Sequence, residues 1–236
     1  MSLFWTFITA HIVTGAVGLT LFWVPVLGRK GGTTHKGYGK IFAYALLATG
    51  CSAVGMSLCT LADPVGTHPK IPDADLVSGL FGWMMLYLAT LTISLIWHGL
   101  MTIRNKTRHL ENRRWWNVAL QLAVIAAALN CARYGLVIGQ PLMMGIAIVG
   151  VASGVTNLRF IYNDHPPRLA YLKEHVKALV GAGISVYTAF MTFGLAQLLP
   201  SHAFNPTLWA IPIVIGISII LYHHRRLTRP RVVAAE

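Results

Sequence analysis

Apolar residues run in seven blocks along the chain, each close to the roughly 20 residues a helix needs to cross a hydrocarbon core, and the charged residues fall almost entirely between them. The blocks are Leu3 to Leu27, Ile41 to Leu61, Leu76 to Ile103, Trp115 to Ile138, Pro141 to Ile161, Val176 to Leu199 and Phe204 to Tyr222. No apolar–polar alternation persists long enough for a membrane barrel, and no internal repeat stands out. The pattern predicts an all-α polytopic membrane bundle of about seven transmembrane helices, forming one domain over 1–236 with 223–236 as a basic tail. Only Gly139 and Gln140 separate the fourth block from the fifth, so that short gap decides between six crossings and seven.

Charge gives the bundle a direction. With seven crossings, Arg29, Lys30, Lys36 and Lys40 share a side with Arg104, Lys106, Arg108, Arg113 and Arg114. Arg159, Arg168, Lys173, Lys177, Arg225, Arg226, Arg229 and Arg231 join them, which leaves only Lys70 and Arg133 opposite. Basic loops stay in the cytoplasm, so the expected amino terminus is outside and the carboxyl terminus cytoplasmic, in a bacterial inner membrane. Tryptophan prefers the headgroup boundary, and Trp5, Trp83 and Trp209 fall near outer ends while Trp23, Trp97, Trp115 and Trp116 fall near inner ends. The first block has no basic residue before it, so it reads as a retained helix rather than a signal peptide.

Composition agrees with lipid as the solvent: 55% of residues are apolar and 11% charged, with a mean hydropathy of +0.60. A formal net charge of +12 would suit a nucleic-acid binder if it formed a patch. Spread along one membrane face, it implies anionic lipid headgroups and a membrane-protein partner instead, with no nucleic acid. Cys51, Cys59 and Cys131 lie within apolar blocks and are expected to be free thiols.

Candidate chemistry rests on the ten histidines. His223 and His224 sit among headgroup-facing basic residues, while His68, His109 and His202 lie in loops without a partner at metal-ligand spacing. His11 lies about 12 Å along the first helix, on a face shared with Thr14, Gly15 and Gly18, so its ring should point into the bundle. His98 continues a face marked by Thr90 and Ser94. His35 falls in the first inner loop, and His175 begins a stripe through Ala178, Ala182, Ser185 and Thr188. His11, His35, His98 and His175 are therefore the candidate cofactor ligands. A metal site built from His35, His98, His175, Asp164 and His165 would need the first, third and sixth helices to be neighbours. No CxxCH sequence occurs, so any haem would be noncovalent haem b.

Arg133 is an expensive residue inside a span, explained by snorkelling or by pairing with Asp63, Asp73 or Asp75, and Tyr187 could line a polar path with Thr188 and Thr192. No GxSxG turn, P-loop or HExxH motif is present, and Gly31-Gly32 lacks the context of a phosphate cradle.

His11 and Gly15, followed by Arg29-Lys30-Gly31, His35, Gly39 and a second apolar helix, resemble an uncharacterised bacterial family of multi-pass membrane proteins, domain of unknown function 2306. The likeness covers about the first sixty residues, with a weaker echo from Glu174-His175 to Phe190. It implies that His11, Lys30, Gly31, His35, Gly39 and His175 are the positions to test, and it brings no reaction with it. The reading that follows is a redox membrane protein binding haem or a transition metal through bundle-facing histidines. The alternatives are a proton-coupled or small-solute transporter using His11 and Arg133, and a noncatalytic subunit of a membrane complex.

Overall fold

A computed structural model describes residues 2–194 and 206–228, and among them every regular element is helical. Among the described residues, six helices are long and apolar enough to cross a membrane. They are α1 (Ser2–Leu27), α2 (Thr33–Ala62), α3 (Ala74–Arg104), α4 (Trp115–Val137), α5 (Pro141–Ile161) and α6 (Ala170–Gly194). A further helix, α7 (Pro206–Thr228), ends in Arg225 and Arg226 and carries Pro212 inside it. The end of the sixth apolar block at Leu199, the start of the seventh at Phe204, His202, Arg229 and Arg231 lie outside the described residues.

α3 is the centre of the bundle: α2, α4 and α6 all pack on it, α1 lies against α2 and α6, α5 covers α4, and α7 lies on α6. Lipid offers helices no hydrophobic drive to associate, so close contact depends on small residues. Gly15 faces Thr49, Gly18 lies against Leu46, Gly50 against Ile93 and Gly183 against Phe22. Gly99 on α3 meets Leu179 and Ala178 on α6. At Gly18, Gly50, Gly99 and Gly183 an added Cβ would meet the neighbouring helix at less than van der Waals distance, whereas Gly15 has room for one.

The gap between the fourth and fifth apolar blocks is a real turn. Gly139 adopts φ +67°, a left-handed conformation that L side chains enter at a cost. The Gln140 amide donates to the Gly135 carbonyl at 2.7 Å, and Pro141 starts α5 where a missing N–H is harmless. α4 and α5, of 23 and 21 residues, then lie side by side, with Gly154 against Ile125 and Gly135 against Met143. Gly139→Ala is expected to destabilise the fold by about 1–2 kcal/mol, read as a lower thermal unfolding midpoint in detergent.

Two helices begin earlier than hydropathy alone predicts. α2 starts at Thr33 rather than Ile41, so His35 stands in its first turn instead of in a loop. α6 starts at Ala170 rather than Val176, so Glu174 and His175 are helical as well. In both cases a polar, basic segment continues a helix that hydropathy detects only where it is apolar. Trp97 also departs from expectation: its indole donates to Asn117 Oδ1 at 2.7 Å, an interior partner rather than a headgroup. Trp5, Trp115 and Trp116 are exposed.

α3 and α6 each contain a π-helical stretch, Ser78–Met84 and Phe190–Gly194. The two meet through the rings of Phe81 and Phe193, 5.9 Å apart. They lie at the end of the bundle opposite the basic end, which carries Lys30, Arg113 and Lys177.

Candidate functional site

Pro25 sits in the last turn of α1, and its carbonyl has two side-chain donors. Lys30 Nζ donates to it at 2.7 Å and also to the Val26 carbonyl, which closes the helix end. His35 Nδ1, one helix on, donates to the same Pro25 oxygen at 3.1 Å. Burial, and then the nearby Arg226 guanidinium, push the Lys30 ammonium below its ordinary range.

The His35 geometry recurs. His175 Nδ1 donates to the Gly99 carbonyl at 2.9 Å, and His11 Nδ1 donates to the Thr49 carbonyl at 3.1 Å. A carbonyl only accepts, so in each ring Nδ1 carries the proton and Nε2 keeps its lone pair. None of the three Nε2 atoms has a hydrogen-bond partner among the described residues. A backbone carbonyl that fixes Nδ1–H and leaves Nε2 available is the arrangement seen in metal-binding imidazoles. His35 and His175 stand close enough for their charges to interact. His11 is about 20 Å away along α1, counting from Pro25 at 1.5 Å per residue.

His98 is different. Its Nε2 donates to Glu174 Oε2 at 3.3 Å, and Lys177 Nζ lies 2.5 Å from the same oxygen. The ring is 5% exposed and edges onto Phe160. Asp164 is elsewhere, held by Arg113 at 2.6 Å, and His165 beside it is exposed. The five residues His35, His98, His175, Asp164 and His165 therefore do not assemble. Among the described residues no three His, Cys, Asp or Glu side chains gather as a metal site would require. The reason is that Arg113 and Glu174 have already claimed Asp164 and His98.

The Arg113 hydrogen bond, and then its charge, hold the Asp164 carboxyl below the usual carboxylate range. A lowered folded-state value means that the pair stabilises the fold above the ordinary aspartate range and is lost as pH falls through the lowered one. Asp164→Asn should lower the unfolding midpoint at neutral pH, with wild-type and variant curves converging in acid. The effect is small because Asp164 is solvated.

The remaining candidates have structural partners. Arg133 is exposed, bonds Asn130 Oδ1 at 3.2 Å and lies 4.5 Å over the Tyr134 ring, so Asp63, Asp73 and Asp75 are not its partners. Asp63 and Asp73 instead cap helix starts through Gly66 and Leu76. Tyr187 donates to the Leu19 carbonyl at 2.7 Å and accepts from Trp23 at 2.8 Å, which braces α6 against α1 rather than lining a path.

Sequence reasoning passed over a buried polar ladder. Gln121 Oε1 accepts from Ser94 at 3.1 Å and from Asn157 at 3.0 Å, and Asn105 donates to Asn112 at 2.9 Å. Asn117 and Gln121, four residues apart in an apolar block, were a readable sign of one polar helix face. Their partners on α3 and α5 become visible only in three dimensions. No protein-family model, curated protein or solved structure matches the chain.

Proposed function

We propose that this chain is a bacterial inner-membrane protein of seven transmembrane helices that binds haem b noncovalently, and that His35 and His175 would hold its iron. The proposal includes an outer amino terminus, a cytoplasmic carboxyl terminus facing anionic lipid, and kinship with the uncharacterised family that the first sixty or so residues resemble. The observation that carries the haem reading is the shared state of the two rings. Each has Nδ1 fixed by a backbone carbonyl and Nε2 without a partner among the described residues, and the two rings lie within electrostatic reach of one another.

Haem suits this pair where a metal held by protein alone does not. The porphyrin fills most of the iron's coordination sphere, so two imidazoles suffice, whereas zinc or mononuclear iron would need three or four side chains. Lys30 and Lys36 beside His35, with Arg226 beside Lys30, would supply the positive charge that haem carboxylates require. Bound there, haem would supply a one-electron couple. The chain's part is to hold both imidazoles in one tautomer and to set the local charge.

The test is an absorption spectrum and haem assay on detergent-purified protein expressed with a haem precursor. A Soret band with stoichiometric noncovalent haem is expected; folded protein without either would sink the proposal. Fluorescence from a green fluorescent protein fused at the carboxyl terminus tests the orientation, since that reporter matures in the cytoplasm and stays dark if exported unfolded.

A further inference from the structure

α7 joins the bundle chiefly through α6, with Gly216 against Ile184. A cavity of about 130 Å³ remains where α7, α6 and α1 come together, lined by Phe22, Trp23, Tyr187, Ile211, Ile215 and Ile219 among others. Trp23, Ile211 and Ile215 are exposed, so the cavity opens on the outside of the bundle, where lipid is the solvent. Trp23 Nε1 donates to Tyr187 Oη, which donates to the Leu19 carbonyl, so the polar atoms of both rings are engaged and their carbon faces the cavity. An apolar cavity of this size takes hydrocarbon rather than water.

The cavity leads to charge. Ile215, Ile219, His223 and Arg226 follow one another at helical spacing along α7 and share one face of it. Ile211 and His223 are twelve residues apart, about 18 Å along the helix, which is close to the depth of one leaflet of a hydrocarbon core roughly 30 Å thick. At the basic end His223 and Arg226 lie within electrostatic reach of Lys30. Among the described residues no carboxylate stands within ion-pair distance of any of the three. Phosphate suits such a group, since a guanidinium fork matches its oxygens and an ammonium adds a point charge.

We propose that the cavity between α1, α6 and α7 holds an acyl chain of an anionic phospholipid from the leaflet at the basic end, with its phosphate on Arg226 and Lys30 beside His223. Charge and depth argue together. A free phosphate would use the cations without the cavity, and an uncharged hydrocarbon the cavity without the cations. The site rests on the bundle's spanning a membrane and not on haem. Lys30 and Arg226 serve both readings, whereas Ile215, Ile219 and His223 belong to the lipid site alone.

Native mass spectrometry of detergent-purified protein tests it, after incubation with equimolar phosphatidylglycerol and phosphatidylcholine of the same acyl chains. One phosphatidylglycerol per chain should survive removal of the detergent, with a preference over phosphatidylcholine on the order of tenfold. Ile215→Trp, which fills the cavity, should abolish retention of both lipids. Arg226→Gln should bring the two lipids close to parity, while Arg225→Gln, one residue off the shared face, should leave the preference as it was. Gly145→Ala should change nothing. No retained lipid, equal retention of the two headgroups, or equal losses in Arg225→Gln and Arg226→Gln would overturn the proposal. If Ile215→Trp does not fold, the two arginine variants still decide, because a merely basic surface responds to both alike. The Soret band is read on the same samples, so the lipid site and the haem site fail separately.

Discussion

His175→Ala should yield a folded protein without haem. The substitution removes one Nε2 and one hydrogen bond to the Gly99 carbonyl, a loss of about 0.5–1.5 kcal/mol of fold stability. It also removes half of the axial pair, and an iron with one imidazole is held far less firmly. The expected result is near-complete loss of the Soret band in protein that still folds, at a lower unfolding midpoint, since a hydrogen bond and a ligand of the folded state are both gone. His35→Ala should do the same from the other side. His11→Ala and His98→Gln should keep the haem, because His11 is about 20 Å distant along α1 and His98 Nε2 already serves Glu174. Haem retained in both His35→Ala and His175→Ala would remove these residues from the site.

Gly99→Leu should damage both packing and site. A side chain at residue 99 would overlap Leu179 and press on Ala178 Cβ at 3.1 Å, so α3 and α6 must separate. Overpacking of this kind costs about 1–3 kcal/mol. The same separation draws the Gly99 carbonyl away from His175 Nδ1, which frees the ring and its tautomer. Expected results are a clearly lower unfolding midpoint and weakened haem binding. Gly145→Ala is the matched control, since nothing lies within 4 Å of its added carbon, and it should change neither. Wild-type stability in Gly99→Leu would mean that the α3–α6 contact is not tight.

Much of the helical layout was readable because lipid imposes a simple rule. A crossing helix must be apolar for about 20 residues, and the blocks ending at Leu27, Ile103 and Ile161 end within a residue of α1, α3 and α5. Where a helix runs beyond the lipid, the rule says nothing, which is why His35 and Glu174 looked like loop or boundary residues and proved to be helical. The π-helical turns at Ser78–Met84 and Phe190–Gly194 left no mark in hydropathy either, since an extra residue per turn changes spacing without changing polarity.

The site was legible only as an inventory. That His11, His98 and His175 face protein followed from the small and polar residues around them. Which atom each ring engages depends on carbonyls that sequence cannot place, such as Pro25 beside His35 and Gly99 beside His175. Glu174 lies 76 residues from His98, and Asp164 was a plausible ligand until its proximity to Arg113 was known. Pairings of that length arise from helix adjacency, which apolar blocks do not encode.

Low-temperature electron paramagnetic resonance of the oxidised, haem-loaded protein tests the axial pair most directly. The account predicts low-spin ferric iron with two imidazole ligands in the wild type, and its loss in His35→Ala and in His175→Ala. High-spin iron in folded wild-type protein, or a low-spin signal that survives both substitutions, would contradict it.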